Sequence, residues 1–172
     1  GVHEVGIVTK SNYYSLMAHV GSGKEWDLNR KNGGLSILPP SYSASGPLSG
    51  GGKVEALYSV IDYIRHSKNK YVLLSDSNIV GNIDYNRMFD YHIEKRAYLT
   101  VADQKDVFDP SRFYGNTFLQ IDASGRVVDV AINQGIQLHS SMALGTYIIE
   151  RELLEFLISQ CIAHNKLDFE RN

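Results

Sequence analysis

Residues 71–80 read YVLLSDSNIV, and the fold turns on them. Four residues with apolar or aromatic side chains, Tyr71 to Leu74, followed at once by Ser, Asp, Ser and Asn, are the pattern of a buried strand that runs out into a polar turn. Working outward, IDYNRMFDYHIEK follows with Asp84 as an N-cap and Met88, Phe89 and His92 at inward helical spacing. Upstream, Val54, Leu57, Ile61 and Ile64 fall on one stripe and predict a single amphipathic helix that ends near RHSKNK. That basic end reads as a solvated helix C-terminus, with an anion site as the alternative. Further out, Val5 to Val8 is a strand, and Tyr13, Met17 and Val20 mark a helix behind a Ser11 cap. AYLTVA is another strand, and TFLQIDASGRVVDVAI is two strands joined at DASG. Beyond MALGTYII, Leu153, Leu154, Leu157, Ile158 and Ile162 form the apolar stripe of a last helix. Alternation of strand and helix predicts an α/β layered domain with a mostly parallel sheet.

Between Gly21 and Gly52 the composition shifts to Gly, Ser, Asn and Pro, and the stretch reads as one long loop, most mobile over residues 41–52. At 172 residues and 43% hydrophobic content, the chain suits one well-cored domain. Its 17 Lys and Arg against 19 Asp and Glu lack the basic excess of an electrostatic nucleic-acid or membrane-surface binder. No apolar run approaches the roughly 18 residues of a membrane-spanning helix. The single cysteine, Cys161, excludes an intrachain disulfide and suits a reducing, cytoplasmic compartment. The start, GVHEVGIVTK, has neither a signal pattern nor an initiator Met and reads as a cut end.

In α/β sheets ligands gather beyond the C-terminal ends of the strands, where Asp76, Ser77 and Asn78 fall. The same residues also make ordinary turn hydrogen bonds in many loops, so position alone leaves both readings open. His19 and His92 lie inside helical patterns, away from any metal-ligand spacing, and read as structural.

The segment HVGSGKEWDLNRKNGGLSILPP (residues 19–40), followed in order by YVLLSDSNIVGNIDYNRMFDYHIEK, ALGTYII and LDFERN, resembles the glucose-1-phosphate adenylyltransferases. Within them it is most similar to the GlgD-type subunit of glycogen biosynthesis, which accompanies a catalytic homologous subunit. The resemblance implies a Rossmann-like nucleotide-diphospho-sugar transferase domain, here partial at both ends, lacking the phosphate loop before it and the β-helix after it. It implies Mg²⁺-dependent transfer of an adenylyl group from ATP to glucose 1-phosphate, giving ADP-glucose and pyrophosphate. Such chemistry needs carboxylates for the metal, cations for phosphate oxygens and a Gly-rich loop.

Matched residue by residue, the family's signatures are depleted here. Gly50 and Gly51 stand where catalytic members carry Tyr and Arg, although Gly52 and Ala56 match. The metal-binding Asp aligns with Asn78, whose amide brings no charge. Only an alignment shifted by two positions makes Asp76 the ligand. The Glu-Lys-Pro signature aligns with Ile132, Asn133 and Gln134, so Asn133 replaces a phosphate-pairing cation. The resemblance therefore implies substrate-side positions at Gly52, Glu55, Asp76, Ser77, Asn78 and Gly145, with Asn78 and Asn133 as degenerate catalytic positions and no metal held by this chain. It also implies a regulatory subunit, with a weakly active enzyme or a sugar-nucleotide binding module as the alternatives. Since the family's first strand is central in its sheet and falls upstream of Gly1, self-association is expected as well.

Overall fold

The computed structural model describes residues 2–9, 13–39, 52–105, 116–132 and 141–169, and these form two compact units. The first unit runs to Ser67 and resumes at Glu155; the second is Lys68–Leu154.

In the first unit, β1 (Glu4–Val8) and β2 (Gly34–Leu38) pair in parallel, in register from Glu4 opposite Gly34 to Val8 opposite Leu38. A parallel pair cannot be closed by a tight hairpin. Here α1 (Tyr14–Val20) and a 3₁₀ turn (Lys24–Trp26) make the crossover. The strand β2 corrects the reading of 21–52 as one loop: GLSIL is short and flanked by Gly, yet β1 gives it a partner that no local signal reveals. Residues 40–51, including the 41–52 stretch but for Gly52, and the Ser11 cap lie outside the described residues.

The single helix expected over 54–64 is two, α2 (Lys53–Ser59) and α3 (Ile61–His66), hinged at Val60. Ser59 turns its hydroxyl back onto the Ala56 carbonyl at 2.7 Å, and two β-branched residues follow it. Both features loosen the helical ladder at that point. Most of the apolar stripe survives the hinge: Val54, Ile61 and Ile64 are buried and Leu57 half-buried, with Val60 at the hinge buried too. Gly6 admits the Tyr63 ring: a Cβ there would stand 2.8 Å from Tyr63 Cε1 and 2.9 Å from Leu38 Cδ1.

The second unit holds a five-stranded sheet of β3 (Tyr71–Ser75), β4 (Leu99–Gln104), β5 (Thr117–Ile121), β6 (Val127–Ile132) and β7 (Ser141–Glu150). β7 is the hub. It pairs antiparallel with β3, with β4 and, at its start, with β5, which continues into the β6 hairpin. The expected mostly parallel pairing is therefore corrected: among the described residues only β1 and β2 pair in parallel. β3 and β4 do run in the same direction, but β7 lies between them, since Leu74 and Val101 both pair with Tyr147. The α/β character stands.

The strand Tyr71 to Leu74 reads as buried from the sequence, and it is half-buried instead. Among the described residues β3 has β7 as its only strand partner, so one of its edges carries no ladder. Ile148 and Ile149, near the end of β7, are 3% exposed and take the place at the heart of the core.

The helix α4 (Tyr85–Lys95) is capped as the sequence predicts, with Asp84 Oδ1 accepting from the Asn86 and Arg87 amides, both at 3.1 Å. Of its expected inward residues His92 is buried and Met88 half-buried, whereas Phe89 stays exposed with its ring edge on Tyr71. The DASG turn also forms as read: Asp122 Oδ1 accepts from the Ser124 and Arg126 amides, both at 2.9 Å, and Gly125 takes a φ of +85°. The last helix, α5 (Arg151–Ala163), starts in the second unit and continues in the first, burying Leu154 and Ile158.

Candidate functional site

The polar turn after β3 is where the sequence places a site. Because β3 and β4 run the same way, their C-terminal ends, at Asp76 and Asp103, face the same end of the sheet. Ser77 and Asn78 form the turn itself and are exposed. Asn78 thus sits past the C-terminal end of β3, as expected, with a neutral amide in solvent.

Asp76 behaves differently. Its amide donates to the Gly145 carbonyl at 3.0 Å, extending the β3–β7 ladder by one rung. Its carboxylate lies in the space a side chain at Gly145 would need, with Cγ 2.8 Å and Cβ 3.1 Å from where that Cβ would stand. Gly145 has a φ of +62°, a left-handed conformation that only glycine adopts readily. It lies within the stretch of β7 where the pairing with β4 slips, between the Tyr147 and Ala143 rungs. The bulge and the carboxylate are therefore fitted to each other. The adjacent rung adds a side-chain contact, Ser75 Oγ to Thr146 Oγ1 at 3.2 Å, with Thr146 fully buried.

Of the six substrate-side positions, the structure brings together Asp76 and Gly145, with Ser77 and Asn78 in the adjoining turn. Gly52 and Glu55 belong to the first unit and engage each other. Gly52 is the N-cap of α2 and its amide donates to Glu55 Oε2 at 3.2 Å, which is half of a capping box because glycine has no side chain to return the bond. Glu55 is 6% exposed, so its carboxylate closes the helix start rather than facing solvent. Gly52 is also pressed by the Leu167 carbonyl, 2.9 Å from where a Cβ would stand. Asn133 lies outside the described residues.

Sequence reasoning passed over Asp103. It is the last but one residue of β4, as Asp76 is the first residue past β3, and among the described residues its Oδ2 is enclosed without a hydrogen-bond partner. The available signal was an acidic residue at the polar end of an apolar strand. Among the described residues no three His, Cys, Asp or Glu side chains gather as a metal would require. The Asp76 turn offers one carboxylate, lodged on Gly145, and one neutral amide. That donor set does not fit Mg²⁺, a hard cation that favours carboxylate oxygens in near-octahedral array.

Residues 1–168 match the model of the nucleotidyl transferase family. The chain belongs to that family. It is 30% identical over 160 residues to a glucose-1-phosphate adenylyltransferase of Desulforamulus reducens, covering 93% of this chain and 40% of that protein. Against the enzyme of the same name from Geobacillus stearothermophilus the identity is 29% over 174 residues, with 100% and 44% covered. The chain thus spans less than half the length of these curated relatives. The crystal structure of HddC from Yersinia pseudotuberculosis superposes with a TM-score of 0.68 at 15% identity, over all of this chain and 64% of that one, and so shares the fold. No described helix is long and apolar enough to cross a membrane.

Proposed function

We propose that this nucleotidyltransferase chain is part of a non-catalytic, regulatory subunit of an ADP-glucose-forming enzyme, cytoplasmic and working beside a catalytic homologous subunit. The observation that carries the reading is the state of the Asp76 turn. The one carboxylate there braces the Gly145 bulge, and the position that resemblance assigns to the metal ligand, Asn78, is a neutral amide. A site that cannot gather Mg²⁺ cannot neutralise the charge that develops between two phosphorylated substrates, which is the main demand of phosphoryl-type transfer. ATP, glucose 1-phosphate or ADP-glucose are the candidate ligands on this reading, bound without turnover. Mg²⁺ belongs to the catalytic partner on this reading. The half-exposed β3 edge is a candidate surface for self-association of the chain when taken alone.

The test is pyrophosphate release by the full-length protein with ATP, Mg²⁺ and glucose 1-phosphate, alone and mixed with the catalytic homologue. Alone it should give background, and mixed it should co-purify with the homologue and alter its kinetics. Removal of one preorganised charged contact costs about 10²–10³ in rate. Asn78→Asp alone should therefore stay near background, and Asn78→Asp with Asn133→Lys should recover only part, since Gly50 and Gly51 still replace Tyr and Arg. Robust turnover by the unmodified protein without a partner would overturn the proposal.

A further inference from the structure

A cavity of about 370 Å³ opens in the second unit where β3 begins and β7 ends, at the end of the sheet opposite the Asp76 turn. Its lining includes Tyr71, His92, Arg96, Tyr98, Glu150 and Leu153, and nothing in the nucleotidyl-transfer reading uses it. The volume lies in the range of small-molecule sites.

Three aromatic rings and a leucine supply its walls, and Tyr98, 84% exposed, stands at the mouth. His92 is 2% exposed. Its Nδ1 is engaged with the Thr100 hydroxyl at 2.7 Å and its ring meets Tyr71 edge-on at 5.3 Å, so Nε2 is the nitrogen left for a ligand. A buried imidazole that lines a cavity and has one nitrogen engaged is an arrangement that a ligand would complete.

The charges give the sign of that ligand. Glu150 faces Lys70 at 3.7 Å, and the same ammonium lies 5.3 Å over the Tyr71 ring, so this acid and its aromatic neighbour already have their cation. Arg96, held at a φ of +49° just past α4, is exposed and makes no ion pair among the described residues. The balance at the mouth is one unmatched positive charge on a planar, forked donor.

We propose that this cavity binds a small aromatic monocarboxylate, the carboxylate on Arg96, the ring against Tyr71 and Tyr98, and a polar atom at His92 Nε2. A single surplus charge suits a monoanion better than a phosphate dianion, and the ring-lined walls suit a flat apolar body.

The test is saturation-transfer NMR with isothermal titration of the purified protein, using 2-naphthoate, benzylammonium and inorganic phosphate as probes. Naphthoate should bind with a Kd on the order of 1 mM, as expected for a ligand of this size that has not been optimised. Arg96→Gln should weaken it about fivefold, with Arg96→Lys between the two, because one rim-exposed charge is lost. Tyr98→Ala, at an exposed ring, should weaken it without lowering the melting temperature. Benzylammonium and phosphate should not bind at the same concentrations. Absence of naphthoate binding up to about 20 mM, equal binding of benzylammonium or phosphate, or indifference to both Arg96→Gln and Tyr98→Ala would overturn the assignment. ATP and ADP-glucose binding should be unchanged in these variants, so the outcome is independent of the nucleotidyl-transfer reading.

Discussion

Replacing Gly145 by alanine tests whether the β7 bulge and the Asp76 carboxylate are one device. Two costs are visible in the structure. At a φ of +62° an alanine carries the left-handed penalty, about 1–2 kcal/mol. Its Cβ would also stand 2.8 Å from Asp76 Cγ, well inside the 3.5–4.0 Å of ordinary carbon contact, and overpacking of this kind adds about 1–3 kcal/mol. Gly145→Ala should therefore destabilise the fold by about 2–5 kcal/mol. In an Asp76→Ala background only the Asp76 Cβ remains, at 3.1 Å, so the same change should cost only the conformational part, about 1–2 kcal/mol. Urea denaturation of the four proteins, followed by circular dichroism, gives the coupling energy directly. A double-mutant cycle that closes to within about 0.3 kcal/mol would refute the idea that the carboxylate and the glycine are mutually fitted. So would a Gly145→Ala cost below about 1 kcal/mol, since the backbone strain alone should exceed it.

Burial holds the His92 imidazole below its ordinary value of 6.5, with Glu150 a smaller opposing influence. As pH falls through about 6.5 the unfolded chain takes the proton first, so the stability His92 contributes is fully present above that pH and lost below it, until the folded form protonates too. Denaturation midpoints measured from pH 8 to pH 5 should show the fall, and His92→Gln should flatten that part of the curve; an unchanged slope would remove His92 as its source. Asp84→Ala should cost about 0.5–2 kcal/mol by releasing the Asn86 and Arg87 amides, whereas Asp84→Asn, which still accepts, should cost much less; equal losses would point to charge rather than capping.

Local signals carried much of the fold. The Asp84 cap, the DASG turn and the apolar stripe of α5 each depend on residues within a few positions of one another, and each was legible. What the sequence concealed is non-local. β2 exists because β1 lies beside it, and the half-burial of β3 follows from pairing with β7, some seventy residues on in the chain. The antiparallel insertion of β7 between two strands of like direction leaves no mark in hydrophobic periodicity, which records burial but not orientation. The candidate site was half legible for the same reason. Asp76 stood out as a carboxylate at a strand end, but that it is spent against Gly145 depends on a bulge in a distant strand. Glu55 matched a substrate position by alignment, while the N3 spacing from Gly52 already announced a cap.

The division of the chain into units has a consequence for synthesis. Residues 68–154 are contiguous and contain every pairing of the five-stranded sheet, so that unit can close as soon as Glu150 clears the ribosome. The other unit is interrupted: Arg65 meets Glu155 at 3.5 Å, Gly52 is pressed by Leu167, and Lys53 lies over Phe169, so its earlier half waits for the last helix and the segment behind it. At about 5–20 residues per second, that delay lasts several seconds. During it β1, β2, α2 and α3 are held by their own contacts alone, and a nascent chain halted at Leu154 would carry a finished five-stranded sheet and an unfinished first unit. Of the two units, the one whose synthesis starts earlier is the one completed later.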